Sequence, residues 1–323
     1  MRQYLLPEGG SFYKVNMHSH SNLSDGKQSP EELKEIYKKA GYSAIAFTEH
    51  TNLHNLSHLT DDEFVAIVSY ELDMSRKDKA PFTFYEGEPR EWNHMEQIHM
   101  NLYAKDPAQT ERVTTSDLRA AFTVENINEA IRRAKELGFL VVYNHPHWSI
   151  NTHELYANLV GVDGLEVING ASHRSSDLDY APHVYDEMVS TGRLRLPMCV
   201  GGDDNHHTHH FFTGWTMVKA ESLTYGNLID AFEKGNCYAS YGPEIRELYV
   251  EDGVVTVRTS DAQGIFYTGL GRKKAAVLSE HGAPLVNEAS FKIGENDGYF
   301  RISVRDSSGK HATTRAYFLD ELK

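Results

Sequence analysis

Apolar strand-like runs alternate with amphipathic helices along most of this chain, and this alternation limits the folds open to it. The first cycle runs from a strand at 13–17 through a helix at 30–40 to an apolar strand at 43–48. Ser29 and Glu32 form the pattern of a capping box at the start of that helix. Because apolar strands that alternate with helices are typical of parallel sheets, the sequence predicts an α/β protein.

The same cycle repeats as far as about residue 242. Further helices are predicted at 125–137, 180–191 and 224–234, and further strands at 82–85, 139–143, 164–168, 197–201 and 215–218. About seven such units favour a barrel over an open sheet. The pattern alone leaves open whether the sheet closes on itself.

The sequence pattern changes after Gly242 and Pro243. Segments 246–250, 254–258 and 299–304 alternate apolar and polar residues, and turn sequences rich in Gly, Asp and Ser separate them. Short alternating strands between turns predict a small antiparallel β-sandwich. We therefore predict two domains, a barrel over residues 1–243 and a β-sandwich over residues 244–323.

Composition excludes several classes of partner. The formal net charge is -14 over 323 residues, which argues against nonspecific binding to nucleic acid or to anionic membranes. No apolar run approaches the length of a membrane span, and the first residues lack the pattern of a secretion signal. We expect a cytoplasmic protein with a small-molecule substrate; its oligomeric state is not predicted.

Histidine is concentrated in the first three quarters of the chain, where 16 of the 18 histidines precede residue 245. His18 and His20 end the first predicted strand, and Asp25 follows a few residues later. Side chains at positions i and i+2 of a strand lie on the same face, so both imidazoles can converge on one metal ion. Two partly buried histidines beside a turn would have the same pattern.

Other polar clusters fall at or near the carboxyl ends of later predicted strands. They lie at 48–50, 86–88, 99, 144–147 and 203–206. The carboxyl ends of parallel barrel strands form one rim, which is where active sites of such barrels lie. Because clusters of histidine and carboxylate residues recur at this rim, the sequence predicts a metal site there.

Taken together, these motifs resemble those of the PHP (polymerase and histidinol phosphatase) family over residues 13–242. The motifs are His18-x-His20, Ser24-Asp25-Gly26, Thr48-Glu49-His50, Gly87-Glu88, His145-Pro146 and Asp204-x-His206. The resemblance implies a distorted (β/α)7 barrel whose active site holds up to three divalent ions. The C-terminal segment resembles the β-sandwich that follows the barrel in one subgroup.

The resemblance also implies which residues bind the ions. It implies one ion held by His18, His20, Glu88 and Asp204, a second held by Glu88, His99 and His145, and a third held by Asp25, His50 and His206. His94 is an alternative to His99. The family motif reads Gly-Ser-Asp-x-His where this chain has Gly-Asp-Asp-Asn-His, so Asp203 is an alternative to Asp204, which the spacing favours. Mixed imidazole and carboxylate ligands suit manganese, zinc or iron.

We therefore predict a metal-dependent phosphoesterase of small phosphorylated substrates, with two or three divalent ions as cofactors. Such ions lower the pKa of a shared water, so the expected nucleophile is a metal-bound hydroxide. Glu88 and Asp204 are the predicted catalytic carboxylates, and His147 and His173 are candidates to protonate the leaving group. Either histidine is equally explained as part of the pocket wall or the surface.

Two arginines are candidates to bind the substrate phosphate. Arg90 lies two residues after Glu88, and Arg174 follows the predicted strand at 164–168. Arginine forms two parallel hydrogen bonds with phosphate oxygens, which suits this role. A solvent-exposed arginine without a function explains each position as well.

Three other functions are compatible with parts of the sequence. The same metal chemistry serves hydrolysis of a non-phosphate ester, a carbamate or an amide. A non-catalytic module that keeps its metals is a second possibility, although it has no physical need for a complete set of ligands. A polysaccharide-binding protein is a third, suggested only by the β-sandwich, and the lack of tryptophan after Trp215 weakens it.

Overall fold

The computed structural model describes residues 1–50, 52–82, 90–111, 113, 118, 120–178, 180–272 and 274–322. Side chains are described for these residues apart from 77–82, 90–95, 111 and 272. Within this part of the chain, no helix is both long enough and apolar enough to pass through a lipid bilayer.

The helices of the described part are α1 (Pro30–Lys39), α2 (Val124–Glu136), α3 (His153–Tyr156), α4 (Gly170–Ser176), α5 (Pro182–Ser190) and α6 (Tyr225–Lys234). The strands up to the end of the barrel are β1 (Gln3–Tyr4), β2 (Ser11–Ser19), β3 (Ala44–Glu49), β4 (Val65–Phe82), β5 (Arg90–Ala104), β6 (Phe139–Tyr143), β7 (Gly164–Asn169), β8 (Met198–Gly202), β9 (Trp215–Ala220) and β10 (Cys237–Ser240). The remaining strands are β11 (Ile245–Glu251), β12 (Val254–Ala262), β13 (Gly264–Gly269), β14 (Lys274–Leu278), β15 (Val286–Lys292), β16 (Tyr299–Arg305), β17 (His311–Thr314) and β18 (Tyr317–Phe318).

Strands β2 to β8 are neighbours in chain order and form the barrel. All adjacent pairs are parallel except those of β5, which runs antiparallel to both β4 and β6. The ring closes beyond the end of β8, where the Asp204 amide donates to the His18 carbonyl at 2.8 Å and Ser19 pairs with Asn205 in a parallel bridge. The predicted α/β barrel is thus confirmed, with one reversed strand that distorts it.

Strands β4 and β5 form a long antiparallel hairpin that the sequence pattern did not predict. β4 and β5 pair antiparallel from Ser69 opposite Tyr103 to Phe82 opposite Arg90. The sequence predicts a strand at 82–85, whereas the described β4 ends at residue 82 and residues 83–85 lie outside the described residues. The outer half of β4 is charged at 76–79, and this absence of apolar continuity is why sequence periodicity missed the hairpin.

Helix α1 forms as its sequence predicts. The Ser29 side chain accepts a hydrogen bond from the Glu32 amide, and the Glu32 carboxylate accepts one from the Ser29 amide. Leu33 and Tyr37 are fully buried on the face that packs against the barrel. The Tyr37 hydroxyl then reaches the carboxylate of Asp203, which ties this helix to the rim where the polar clusters lie.

The C-terminal strands form an antiparallel β-sandwich, as predicted. One sheet has the order β1-β11-β12-β15, and the other continues the barrel sheet through β10, β17, β16, β13 and β14. Leu248, Val257 and Ile302 are fully buried between the two sheets. Gln3 pairs with Val250, so the first strand of the chain lies on the C-terminal sheet. The division at residues 243 and 244 stays a prediction.

Candidate metal centre

The ends of the barrel strands bring nine titratable side chains together at one rim. Glu71 and His99 lie inside the long strands β4 and β5, but just beyond the point where β3 ends opposite Tyr70. The residues are His18 and His20 from β2 and the turn after it, Asp25 from the following loop, His50 after β3, Glu71 in β4, His99 in β5, His145 after β6, and Asp204 and His206 after β8.

Glu71 occupies the middle of this cluster. Its Oε2 atom lies 3.2 Å from His18 Nε2 and 3.3 Å from His20 Nε2, while its Oε1 atom lies 3.0 Å from His99 Nδ1 and 3.3 Å from His145 Nε2. The side chain is 1% exposed. One carboxylate therefore faces two groups of imidazoles, with one oxygen toward each.

The resemblance to the PHP family implies Glu88 at this bridging position; Glu88 lies outside the described residues, so its role stays a prediction. Glu71 was missed because it lies in an apolar run rather than in a polar cluster. The run Val65–Met74 contains Glu71 and Asp73 among mostly apolar residues. A carboxylate in a buried strand is costly unless it is paired, and this cost is the signal that could have identified Glu71.

The first ligand group, here called the inner group, is His18, His20, Glu71 and Asp204. Asp204 Oδ1 lies 3.0 Å from His20 Nε2 and 3.3 Å from His18 Nε2. Both histidines are fully buried, and the Asp204 side chain is 13% exposed. His18, His20 and Asp204 are three of the four ligands that the resemblance implies for the first ion, and Glu71 joins them here.

The inner group fits a divalent cation better than a set of hydrogen bonds. His18 Nε2 and both ring nitrogens of His20 are shielded from solvent and lie 3.0 to 3.5 Å from carboxylate oxygens, yet none of these contacts has the geometry of a hydrogen bond. Buried polar atoms without a hydrogen bond are rare in proteins and call for an explanation. Imidazole nitrogens and carboxylate oxygens that converge in this way are the ligands that zinc, manganese and iron take.

The side group is Glu71, His99 and His145. Both imidazoles approach Glu71 Oε1, which also accepts a hydrogen bond from Asn144 Nδ2 at 2.9 Å. His145 has a φ of 21°, an unusual value that directs its ring toward the cluster. The alternative ligand His94 has a side chain outside the described set, so its comparison with His99 stays open.

The outer group is His20, Asp25, His50 and His206. Asp25 Oδ2 lies 3.1 Å from His206 Nε2 and 3.9 Å from His50 Nε2, and Asp25 Oδ1 lies 3.5 Å from His20 Nδ1. His20 therefore directs one nitrogen to the inner group and the other to the outer group. Asp25 is 51% exposed, so the rim opens to solvent on this side.

Glu166 holds ligand residues in place from behind. Its Oε1 atom accepts a hydrogen bond from His18 Nδ1 at 2.9 Å, and its Oε2 atom accepts one from the His145 amide at 3.1 Å. Asn169 Nδ2 donates to Glu166 Oε2 and to Asp204 Oδ2 at 2.9 and 3.1 Å. A carboxylate on the far nitrogen of a ligand histidine fixes its tautomer and orients the ring.

The two adjacent aspartates face in different directions. The Asp203 carboxylate accepts hydrogen bonds from the Tyr37 hydroxyl at 2.7 Å and from the backbone amides of residues 212, 213 and 214 at 2.6 to 2.8 Å. Burial raises the pKa of Asp203 to about 6. Asp204, at a φ of 50°, directs its carboxylate to His18 and His20. This arrangement supports Asp204 over Asp203 as the ligand.

Pairing of imidazoles with carboxylates outweighs burial at this site. Burial alone would raise the pKa of Glu71, but the neighbouring histidines, chiefly His18, hold it well below the usual range. Burial alone would lower the pKa of His20, whereas contact with Asp204 and Glu71 raises it to about 10. In the metal-free protein, protons on imidazoles therefore balance the carboxylates, and a divalent cation can take their place.

The remaining predicted residues lie around this centre or outside the described set. The side chain of Arg90 is not among those described. Arg174 is exposed and donates from Nε to Thr213 Oγ1 at 3.2 Å. His147 Nε2 lies 3.2 Å from His183 Nε2, and the His173 ring centroid lies 6.2 Å from that of Tyr241. Their catalytic and phosphate-binding roles stay predictions.

Comparison with known proteins agrees with the motifs. A model of the PHP domain matches residues 16–238. No curated protein matches the chain. A two-domain protein from Bacteroides vulgatus, described as containing a predicted PHP-like metal-dependent phosphoesterase, is similar over 98% of both chains, at 16% identity and a TM-score of 0.49. An amidohydrolase from Chromobacterium violaceum, solved with bound sulfate and no metal, is also similar. The match covers 59% of this chain and 87% of the amidohydrolase chain, at 14% identity and a TM-score of 0.39.

Proposed function

The chain belongs to the PHP domain family, and from that premise we propose that it is a metal-dependent phosphoesterase of a small phosphorylated substrate. The observation that carries the proposal is the position of Glu71, whose two oxygens face separate groups of imidazoles. Glu71 and these two groups of imidazoles would hold divalent cations, which would supply charge stabilisation for phosphoryl transfer.

We assign the inner, side and outer groups to as many as three divalent ions, which we take to be manganese, zinc or iron. Such ions lower the pKa of bound water and neutralise charge on a phosphoryl oxygen. The chain's own residues fix the ligands: Glu166 holds His18 Nδ1, and Asn169 holds both Glu166 and Asp204. Glu88 remains a further candidate ligand beside Glu71.

Substrate enters, in this proposal, from the solvent side of the outer group. Asp25, His50 and His206 have side chains that are 51%, 23% and 27% exposed, whereas those of His18 and His20 are fully buried. The phosphate would therefore reach the cluster over the outer group. Arg90 and Arg174 are the proposed phosphate-binding residues, and His147 and His173 the proposed donors of a proton to the leaving group.

Phosphate release by ligand variants tests the proposal. Purified protein loaded with manganese or zinc is assayed on a panel of phosphomonoesters and phosphodiesters. We expect Glu71→Gln and Asp204→Asn to reduce release to background, because each removes a negatively charged ligand from the inner group. Glu63→Gln and Asp252→Asn are matched controls at carboxylates with side chains 77% and 89% exposed, and should keep full activity.

The outcomes separate the competing functions. Full activity in Glu71→Gln or Asp204→Asn would contradict the assignment of the site. Bound metal without phosphate release from any substrate would favour hydrolysis of a non-phosphate ester, carbamate or amide, or a metal-bearing module without turnover. Glu88→Gln, assayed beside Glu71→Gln for metal content, determines whether Glu88 is a ligand as well.

A further inference from the structure

A cavity of about 790 Å³ lies beside the metal centre. Arg76 and Glu96 of the β4–β5 hairpin line one side of it. The start of α2, at residues 122–125, lines another, and the loop at 148–152 together with residues 154 and 155 of α3 completes the lining. Its volume lies within the range of pockets that bind small organic molecules. None of the ligand residues described above lines it, so it is a compartment next to the metals rather than part of their site.

Trp148 forms the boundary between this cavity and the metal centre. Its ring centroid lies 5.1 Å from that of His145 and 5.7 Å from that of His99, both members of the side group. The same residue lines the cavity and is 40% exposed. A molecule with its phosphate at the ligand groups would have to pass Trp148 to reach the cavity, so the exposed indole is the surface that its other end would meet.

The loop that carries Trp148 is held in an unfavourable backbone conformation. Ile150 has a φ of 51°, in the left-handed region that β-branched residues avoid, and it is 80% exposed where it lines the cavity. Asn151 anchors the loop, since its Oδ1 accepts from the Tyr143 hydroxyl at 2.6 Å and its Nδ2 donates to the Gln97 carbonyl at 2.7 Å. Strain that is maintained in this way is typical of binding sites.

The charges around the cavity determine which ligands it accepts. Glu96, Glu125 and Glu154 contribute three carboxylates, and Arg76 contributes one cation that is already paired with Glu96 at 2.5 Å. Trp148, Ile150 and Phe122 supply its apolar and aromatic surface. A second anionic group would meet net negative charge here, whereas an aromatic group without negative charge would be accepted.

We infer that this cavity binds the leaving group of the substrate, and that this group is apolar or aromatic and either uncharged or cationic. The inference rests on the proposed phosphoesterase function and names its substrate class. Trp148 is then the residue that selects the leaving group while the phosphate binds at the metals. A purely positioning role, in which Trp148 only supports His99 and His145, is the competing explanation.

Two substrates of similar intrinsic reactivity separate these explanations. 2-Phenylethyl phosphate and ethyl phosphate both release an unconjugated primary alcohol, and they differ in the aromatic ring. We expect the kcat/KM ratio of the two to favour the aromatic ester by about tenfold, the effect of one good aromatic contact. Trp148→Ala should remove most of this preference, and Trp148→Phe should keep most of it.

A matched control and a charge series complete the experiment. Val160→Ala, at an apolar residue that is 63% exposed and does not line the cavity, should leave the ratio unchanged. A carboxylate added to the ring of 2-phenylethyl phosphate should abolish the preference over ethyl phosphate. An aminomethyl group added at the same place should leave that preference intact. In the double variant Glu125→Gln with Glu154→Gln, a carboxylate on the substrate's phenyl ring should lower kcat/KM less than it does in the parent protein.

Each result has one meaning. If Trp148→Ala slows both esters equally, the residue only positions the histidines and the inference is overturned. If the parent protein hydrolyses neither ester, the phosphoesterase proposal is decided separately by the wider panel of phosphoesters. The cavity is then tested by saturation-transfer NMR with 2-phenylethanol: binding that Trp148→Ala abolishes supports the cavity, and absence of binding in the parent protein overturns it.

Discussion

At the scale of single residues, the metal centre is defined by how tightly imidazoles surround one carboxylate. Five histidines have a ring nitrogen within 3.3 Å of a Glu71 oxygen, namely His18, His20, His50, His99 and His145. The carboxylate is buried, so its charge must be balanced by bound protons or by metal ions. Protons and metal ions therefore compete for the same imidazole nitrogen atoms.

This competition predicts proton release when metal binds. The pKa of His20 is about 10 in the absence of metal, so the ring is protonated at neutral pH. A ligand imidazole must be neutral, and binding therefore expels protons and strengthens as pH rises toward that value. Isothermal titration calorimetry with zinc in buffers of different ionisation enthalpy should give buffer-dependent heats. Heats that are identical in all buffers would contradict the prediction.

Glu166 should affect metal affinity without being one of the bridging ligands. Glu166→Gln weakens the hydrogen bond that orients His18, and metal affinity should fall by roughly 10- to 100-fold. Competition with a fluorescent chelator measures this change. Glu244→Gln, at a carboxylate with a side chain 58% exposed, is the control and should bind metal as the parent does. Equal affinities in all three proteins would mean that Glu166 has no orienting role.

Sequence motifs predicted eight of the residues that converge at the rim, because imidazoles and carboxylates at strand ends are visible as local patterns. They are His18, His20, Asp25, His50, His99, His145, Asp204 and His206. The motifs did not identify Glu71, because its role depends on strand β5 running antiparallel and placing His99 across from β4. A carboxylate in an apolar run is visible in the sequence, but which histidines surround it depends on strand pairing, which no short segment encodes.

At the scale of elements, the metal centre depends on the contact between β8 and β2. Gly202 is the last residue of β8, and a Cβ atom placed there would lie 2.6 Å from both the backbone nitrogen and the Cβ atom of His18. No larger residue fits without moving β8 away from β2. Glycine at this position therefore allows the barrel to close directly behind a ligand histidine.

Gly202→Ala should lower the free energy of unfolding by about 2 kcal/mol, the usual cost of forcing an extra carbon into a packed site. It should also weaken metal binding, because His18 must shift. Gly226→Ala is the matched control: a Cβ atom in that helix meets nothing within 4 Å. This change should raise stability by roughly 0.5–1 kcal/mol. Chemical denaturation measures both; similar effects at the two positions would contradict the closure argument.

The order of elements was largely predictable, whereas their pairing was not. Alternation of apolar runs and amphipathic segments predicted α1, α2, α5 and α6 to within a few residues. The capping box of α1 was predicted correctly because its residues are adjacent in sequence. The hairpin of β4 and β5 was not, because its outer half is charged and has no apolar period.

At the scale of the whole molecule, the barrel and the C-terminal sheet are joined by a buried ion pair. Arg301 in β16 donates from Nε and Nη2 to the two oxygens of Asp186 in α5, at 2.9 and 2.7 Å. The Arg301 side chain is 6% exposed and that of Asp186 is 24% exposed. Arg195 and Asp320 form a second two-bond pair between the same regions, but at the surface.

Asp186→Ala should lower the free energy of unfolding by about 3 kcal/mol, because it leaves the Arg301 charge buried without its partner. Asp320→Ala removes the equivalent partner of an exposed arginine and should cost less than about 1 kcal/mol. Thermal and denaturant unfolding of both variants gives the comparison. Equal costs would mean that burial does not distinguish the two pairs and that the interface depends on apolar packing alone.

The central claim, that bound metals enable this chain to hydrolyse phosphoesters, is tested most directly by titrating metal-free protein with manganese while phosphate release is recorded. The ligand groups predict no release from the chelated protein and activity that saturates after two or three equivalents of metal. The Glu71→Gln protein should stay inactive throughout. Full activity in the chelated protein, or saturation with metal and no phosphate release from any ester, would contradict the claim.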